Sequence, residues 1–312
     1  MTFEVTAGED DGGIRLDRFL STRLEGVSRT AVQKALKAGL VTLDGRTLSA
    51  NHKTRVGEVF RGSIPPPEQL SAEPEDIPLD VVYEDDDLII VDKPAGMVVH
   101  PAKGHARDTL VNALLFKGKT LSDAGGDELR PGIVHRLDKD TTGLVAVAKN
   151  AAAHASLSAQ LKSREMGREY LAVVKGTLKP PVGEITKPIG RHTVHRKKMT
   201  VSEARSSGAR EARTLYETLE FFPGIPASLV KVRLKTGRTH QIRVHLASVG
   251  NPVMGDEVYG KQKSPLIARP ALHAAKLTLV HPSSGKTMVF EAPLPADFER
   301  LLASLRSRPR RG

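Results

Sequence analysis

The sequence predicts an α+β protein built as two modules, and three observations predict it. Residues 14–62 hold ten Lys or Arg against four Asp or Glu, whereas residues 68–87 hold nine acids and no base. That switch crosses Pro65-Pro66-Pro67, with Pro74 and Pro78 beyond, which reads as a linker over 63–80 between a small domain and a larger one. After the linker, apolar runs of strand length succeed one another without the helix-per-strand rhythm of a doubly wound sheet. A largely antiparallel mixed β-sheet flanked by helices is therefore expected over 81–305, ahead of a basic tail at 306–312.

The elements follow in order. Residues 1–13, polar and acidic, read as an N-terminal extension. Ile14, Leu16, Phe19, Leu20 and Leu24 line one face of a first helix. Ser28 is a good N-cap for a second helix that turns Val32 and Leu36 inward and stops at Gly39. Asp44-Gly45 centres a hairpin in LVTLDGRTL. The outward face of the second helix carries Arg29, Lys34 and Lys37. This basic helical module of about fifty residues resembles the S-four-type RNA-binding domain, which makes those three cations expected RNA contacts. In the larger domain, strands are expected over 87–92, 96–100, 143–148, 170–175 and 228–234. Helices are expected over 108–116, 151–163, 238–249 and 296–306.

Composition narrows the function. A net charge of +11 draws polyanions. The absence of cysteine excludes disulfides, thiolate metal sites and a cysteine nucleophile, and fits a reducing compartment. The start lacks the apolar stretch of a signal peptide, and no apolar run approaches the ~20 residues of a membrane span. A cytoplasmic monomer free of membranes is expected. Aromatics are only 4% and Trp is absent, so shape and backbone contacts to a structured nucleic acid suit the chain better than a stacking platform for single strands. Residues 187–213 hold eight Lys or Arg and two acids, which reads as a basic loop on phosphates, with Arg191, Arg196, Lys197 and Lys198 as contacts. No phosphate-binding loop precedes Gly118-Lys119-Thr120 or Gly285-Lys286-Thr287. His240 and His245, five apart, do not share a helical face as metal ligands would.

The densest polar cluster is Gly132-Ile-Val-His-Arg-Leu-Asp-Lys-Asp-Thr-Thr-Gly143, which runs straight into a strand. It gathers carboxylates and cations where a sheet ends, and a neighbouring guanidinium keeps a carboxylate ionised for nucleophilic or base chemistry. This segment resembles the active-site motif of the RluA-type pseudouridine synthases. Four further segments agree in order: Asp92–Pro101, Arg168–Val174, Lys235–His245, and Leu272-His-Ala with His281-Pro282 after it. The resemblance spans roughly residues 88–291, and the basic first module matches the members that act on ribosomal RNA.

The resemblance implies roles. Asp138 is the essential aspartate, Tyr170 the ring that stacks on the extruded base, and Arg243 the arginine that pairs with the aspartate. Leu272 packs beside the base, and Arg136 helps fill the space that the nucleotide leaves. His135 and Arg238 are expected beside the substrate. The implied reaction has no redox or phosphoryl step, so no cofactor and no metal are expected. The implied partner is ribosomal RNA, free or within a large-subunit particle. Two other readings compete: a glycosidase or nucleosidase using Asp138 and Asp140, about 6.5–7 Å apart if both lie on a strand, and a non-catalytic RNA-binding assembly factor.

Overall fold

Two compact units divide the chain, Met1–Gln69 and Leu70–Gly312. The computed structural model describes residues 1–65, 72–101, 105–123, 129–195, 198–202, 208–260 and 263–308. Among these, no helix is long and apolar enough to cross a membrane.

In the first unit, β1 (Thr2–Thr6), α1 (Leu16–Arg23), α2 (Arg29–Lys37), β2 (Val41–Leu43), β3 (Arg46–Thr47) and β4 (Val59–Ser63) form two helices against a four-stranded antiparallel sheet of order β1-β4-β2-β3. Its core joins Leu16, Phe19 and Leu20 of α1 to Val32 and Leu36 of α2 and to Val41 and Phe60 of the sheet. Ser28 Oγ accepts from the Ala31 N–H and caps α2 as expected. Asp44 and Gly45 both take positive φ, 50° and 76°, as a two-residue hairpin requires. The opening residues are not an extension, because β1 pairs with β4 from Thr2↔Ser63 to Thr6↔Val59. Nor does the linker begin at residue 63, since Ile64 is buried in this core.

The second unit carries β5 (Asp80–Glu84), β6 (Leu88–Lys93), α3 (Leu110–Phe116), β7 (Thr142–Ala148), α4 (Ala151–Ser163), β8 (Gly167–Lys175), β9 (Val182–Ile185), β10 (Ile189–Arg191), β11 (Met199–Val201), β12 (Thr214–Phe222), β13 (Ala227–Leu234), α5 (Gln241–Ser248), β14 (Leu272–Val280), β15 (Thr287–Glu291) and α6 (Ala296–Arg306). Its main sheet runs β5-β6-β7-β14-β8-β13-β12-β9, with β15 also on β14. Every pairing is antiparallel except β7 with β14, so the sheet is mixed and largely antiparallel, as the sequence predicts. Alternation divides β7: Val145 and Val147 enter the core that holds α3, α5 and α6, while Leu144, Ala146 and Ala148 pack with Ala153 and Leu157 of α4. Ile77 and Leu79 already pack against the larger core ahead of β5.

One expected strand is absent. Residues 96–100 turn instead of extending, with Gly96 at φ +85° and a single bridge from Val98 to Thr109. The Lys93 ammonium holds this turn by donating to the carbonyls of Pro94 and Met97.

Asp17 is the polar anchor of the first unit. It is fully buried and accepts from Arg15, Arg29 and Gln33, which hold its carboxyl far below the usual range despite burial. The two arginines are about half exposed and can rehydrate, so Asp17→Asn should destabilise this unit by about 2 kcal/mol. Urea unfolding of the full chain, followed by hydrogen exchange in residues 1–65, checks this, with the transition of the second unit expected to stay in place.

Candidate active site

The polar loop before β7 is strapped to the sheet at both ends. At its start, Gly132 sits at φ +71° against the Ala148 carbonyl, where a Cβ would come within 2.4 Å. His135 is buried, and its Nε2 accepts from the Ala146 N–H at 3.0 Å. Burial, with Arg168 adding, pushes the His135 pKa down to about 3, so the ring is neutral and serves as a backbone strap. At the far end, the Lys139 carbonyl accepts from the Gly96 N–H at 3.0 Å and from Lys93 Nζ at 3.1 Å. Burial pulls Lys93 down to about 7 against the charges of Asp140 and Asp138, while its three carbonyl acceptors favour the ammonium. Gly143 then lets β7 meet β14: a Cβ there would lie 2.3 Å from the Ala274 carbonyl. This close approach sets the Asp138 loop beside the start of β14, where Leu272 lies.

Helix α5 supplies the partner. Gln241 and His245 are buried straps: Gln241 bonds Thr236, Arg213 and Thr214, and His245 bonds Thr214 and the Lys187 carbonyl. Ile242 and Leu246 enter the core. Arg243 Nη1 donates to Asp138 Oδ2 at 3.0 Å. Its Nε and Nη2 clamp Asp256 at 2.6 and 3.0 Å. Asp256, with a fully buried side chain, also accepts from the Val258 and Tyr259 N–H groups. Burial opposes the Arg243 charge, but Asp256 and Asp138 outweigh it and raise its pKa. Asp138 keeps 19% of its side-chain surface, and among the described residues its Oδ1 takes no hydrogen bond.

A small cavity of about 50 Å³ collects Arg136, Asp138, Tyr170, Arg238, Arg243 and Leu272. An adjoining cavity of about 540 Å³ shares Arg136, Asp138, Tyr170 and Arg238, and adds Arg130, Lys162, Arg164 and Arg168. A small slot that sets Tyr170 and Leu272 beside Asp138 and Arg243 therefore opens onto a strongly cationic groove. Burial raises the Tyr170 pKa, so its hydroxyl stays protonated. Asp140 lines neither cavity. It lies in an exposed turn ahead of β7, so the strand geometry needed for a two-carboxylate glycosidase is not there.

The remaining expected contacts are distributed. Lys34 and Lys37 are exposed on α2, but Arg29 is committed to Asp17. Arg191 is exposed on β10, and Lys198 Nζ donates to the Val258 carbonyl. Arg196 and Lys197 lie outside the described residues. Asp256, Tyr259, His240 and Lys93 also surround Asp138 or its loop, and no local sequence pattern marks them for that role. Among the described residues, ligand atoms that could converge on a metal come from Asp85, Asp87 and His281. There, Asp85 already accepts from Tyr83, His281 and the N–H groups of Asp87 and Leu88, a clasp for the β5–β6 turn.

The profile of the RNA pseudouridylate synthase family matches residues 87–248, and that of the S4 domain matches residues 14–60. The chain belongs to the RNA pseudouridylate synthase family. An uncharacterized RNA pseudouridine synthase of Bacillus subtilis (strain 168) is 44% identical over 97% of this chain and 98% of its own. The ribosomal large subunit pseudouridine synthase D of Nitrosomonas europaea is 43% identical over 99% of this chain and 89% of its own. Among solved structures, human RNA pseudouridylate synthase domain containing 1 superposes with a TM-score of 0.57 at 25% identity, covering 76% of this chain and 98% of that one. The synthase is thus an isomerase with an S4 domain at its N-terminal end.

Asp256→Asn should cost this synthase about 3 kcal/mol, because it strands a buried guanidinium. Loosening Arg243 should also slow single-turnover pseudouridine formation about 100-fold. Thermal unfolding and product assays on the same preparation check both.

Proposed function

We propose that the synthase isomerises uridines in large-subunit ribosomal RNA and that Asp138 acts at the ribose. The observation that carries the catalytic reading is the 3.0 Å bond from Arg243 to Asp138 Oδ2 beside Tyr170 and Leu272. The reaction breaks the N1–C1′ bond, turns the uracil and joins C5 to C1′. C5 loses a proton and N1 gains one, so mass is unchanged. Positive charge develops on the sugar as the first bond breaks, and a fixed carboxylate beside it stabilises that charge. Tyr170 and Leu272 offer faces to the uracil, offsetting the roughly few kcal/mol that extrusion costs. The cationic groove suits flanking phosphates, and Arg136, exposed and lining both cavities, would fill the vacated stack. No step calls for a metal or a redox cofactor.

The ribosomal target is supported by the names of two relatives at 43% identity, both ribosomal large subunit pseudouridine synthase D, and by the basic first unit. Lys34 and Lys37 of that unit are proposed RNA contacts, together with Arg191 and Lys198 of the second.

Asp138→Asn should abolish pseudouridine in a stem-loop substrate while leaving RNA affinity within about threefold, since most binding charge lies elsewhere. Asp140→Asn should retain turnover. Product analysis by mass and chromatography decides: near-wild-type pseudouridine from Asp138→Asn removes the assignment, and released uracil would restore a nucleosidase.

A further inference from the structure

His240 is the residue of this site whose geometry the reading above leaves unexplained. It sits at φ 56°, ψ 21° as the N-cap of α5, although its side chain makes no capping bond. A left-handed conformation is unfavourable for a non-glycine residue, and such strain collects at functional positions. The strain aims the ring across the site. Nε2 lies 4.0 Å from Asp138 Oδ2, the oxygen that Arg243 holds, and Nδ1 meets the Tyr259 hydroxyl at 2.7 Å.

The hydrogen bonds at Tyr259 favour one tautomer. The Tyr259 oxygen accepts from the Met199 N–H at 2.9 Å, so its own proton is free to go to His240 Nδ1. The imidazole proton then sits on Nε2, facing Asp138. Burial lowers the His240 pKa, Asp138 and Asp256 pull it up, and Arg243 and Arg136 push it down. The outcome is a neutral donor near pH 7. One donor on Oδ2 leaves the carboxylate free to rock about its broad terminal torsion. A second donor from another direction pins the plane, and a neutral one does so without weakening the carboxylate as a further cation would.

We propose that His240 is a positioning residue: held in its Nε2–H form by Tyr259, it closes onto Asp138 Oδ2 when uridine seats and presents Oδ1 to the ribose. The inference rests on the reading that Asp138 acts at the sugar.

Three variants of the whole chain test it. His240→Asn tolerates the left-handed backbone and reaches only the Nδ1 position, whereas His240→Gln extends an amide N–H to the Nε2 position. With a stem-loop RNA, H240N should slow single-turnover isomerisation about tenfold or more, with the RNA Kd within about twofold, and H240Q should recover most of the loss. Tyr259→Phe keeps the ring against Arg243 but frees Nδ1, so its rate should fall between wild type and H240N. In ¹⁵N-histidine spectra, the resonance missing from H240N should show the neutral Nε2–H pattern in wild type. An Nδ1–H pattern, or H240N at wild-type speed, overturns the inference. An active Asp138→Asn defeats the underlying reading, whereas a dead Asp138→Asn beside a full-speed H240N defeats only the role of His240.

Discussion

The site depends on one guanidinium shared by two carboxylates. Arg243 is clamped by Asp256 on two nitrogens and offers the third to Asp138. A buried arginine with a single exposed partner would be costly and loose. Asp256, fully buried and braced by two backbone N–H groups, carries the structural share of that charge. Arg243 is thereby fixed before substrate arrives, and its bond to Asp138 can serve chemistry. In the proposed reaction, preorganisation of this kind avoids reorganisation cost when charge develops on the ribose.

The sheet delivers the two partners to one place. Asp138 stands on a loop that closes against β7 through Gly132 and His135, and Gly143 allows the parallel contact with β14 that brings Leu272 alongside. Tyr170 comes from β8, on the other side of β14. Arg243 comes from α5, tied down by Gln241 and His245. Four distant stretches of sequence therefore converge through backbone register, with side-chain straps setting the final angles. The β10–β11 hairpin joins through Met199, which bonds Tyr259, and packs its apolar face against Val244 of α5. A basic surface segment is thus connected by packing and hydrogen bonds to the residues around Asp138.

Much of this was legible in the sequence where local pattern and local structure coincide. The alternation of Val230, Val232 and Leu234 gave β13, and the Ser28 cap gave α2. Asp138, Tyr170, Arg243 and Leu272 came through the family resemblance, and the small cavity holds all four. Long-range constraint hid the rest. Residues 1–13 read as polar and acidic overall, yet Thr2–Thr6 become a strand on β4, with Phe3 and Val5 packed against the core of the first unit. Residues 96–100 read as a strand, but Gly96 and the buried Lys93 bend them into a turn. Asp256 stands thirteen residues from Arg243 in a loop without periodicity, and only burial marks its role. His240 invited only a test of metal-ligand spacing, since its left-handed backbone leaves no trace in composition.

The central claim is that the Arg243–Asp138 pair makes this chain an enzyme acting on ribosomal uridines. The most direct measurement is a transcriptome-wide pseudouridine map of cells lacking the chain, complemented with wild type or with Arg243→Met. The account expects defined large-subunit rRNA sites to vanish without the chain, to return with wild type and to stay absent with Arg243→Met. Sites that persist without the chain, or return with Arg243→Met, would contradict it.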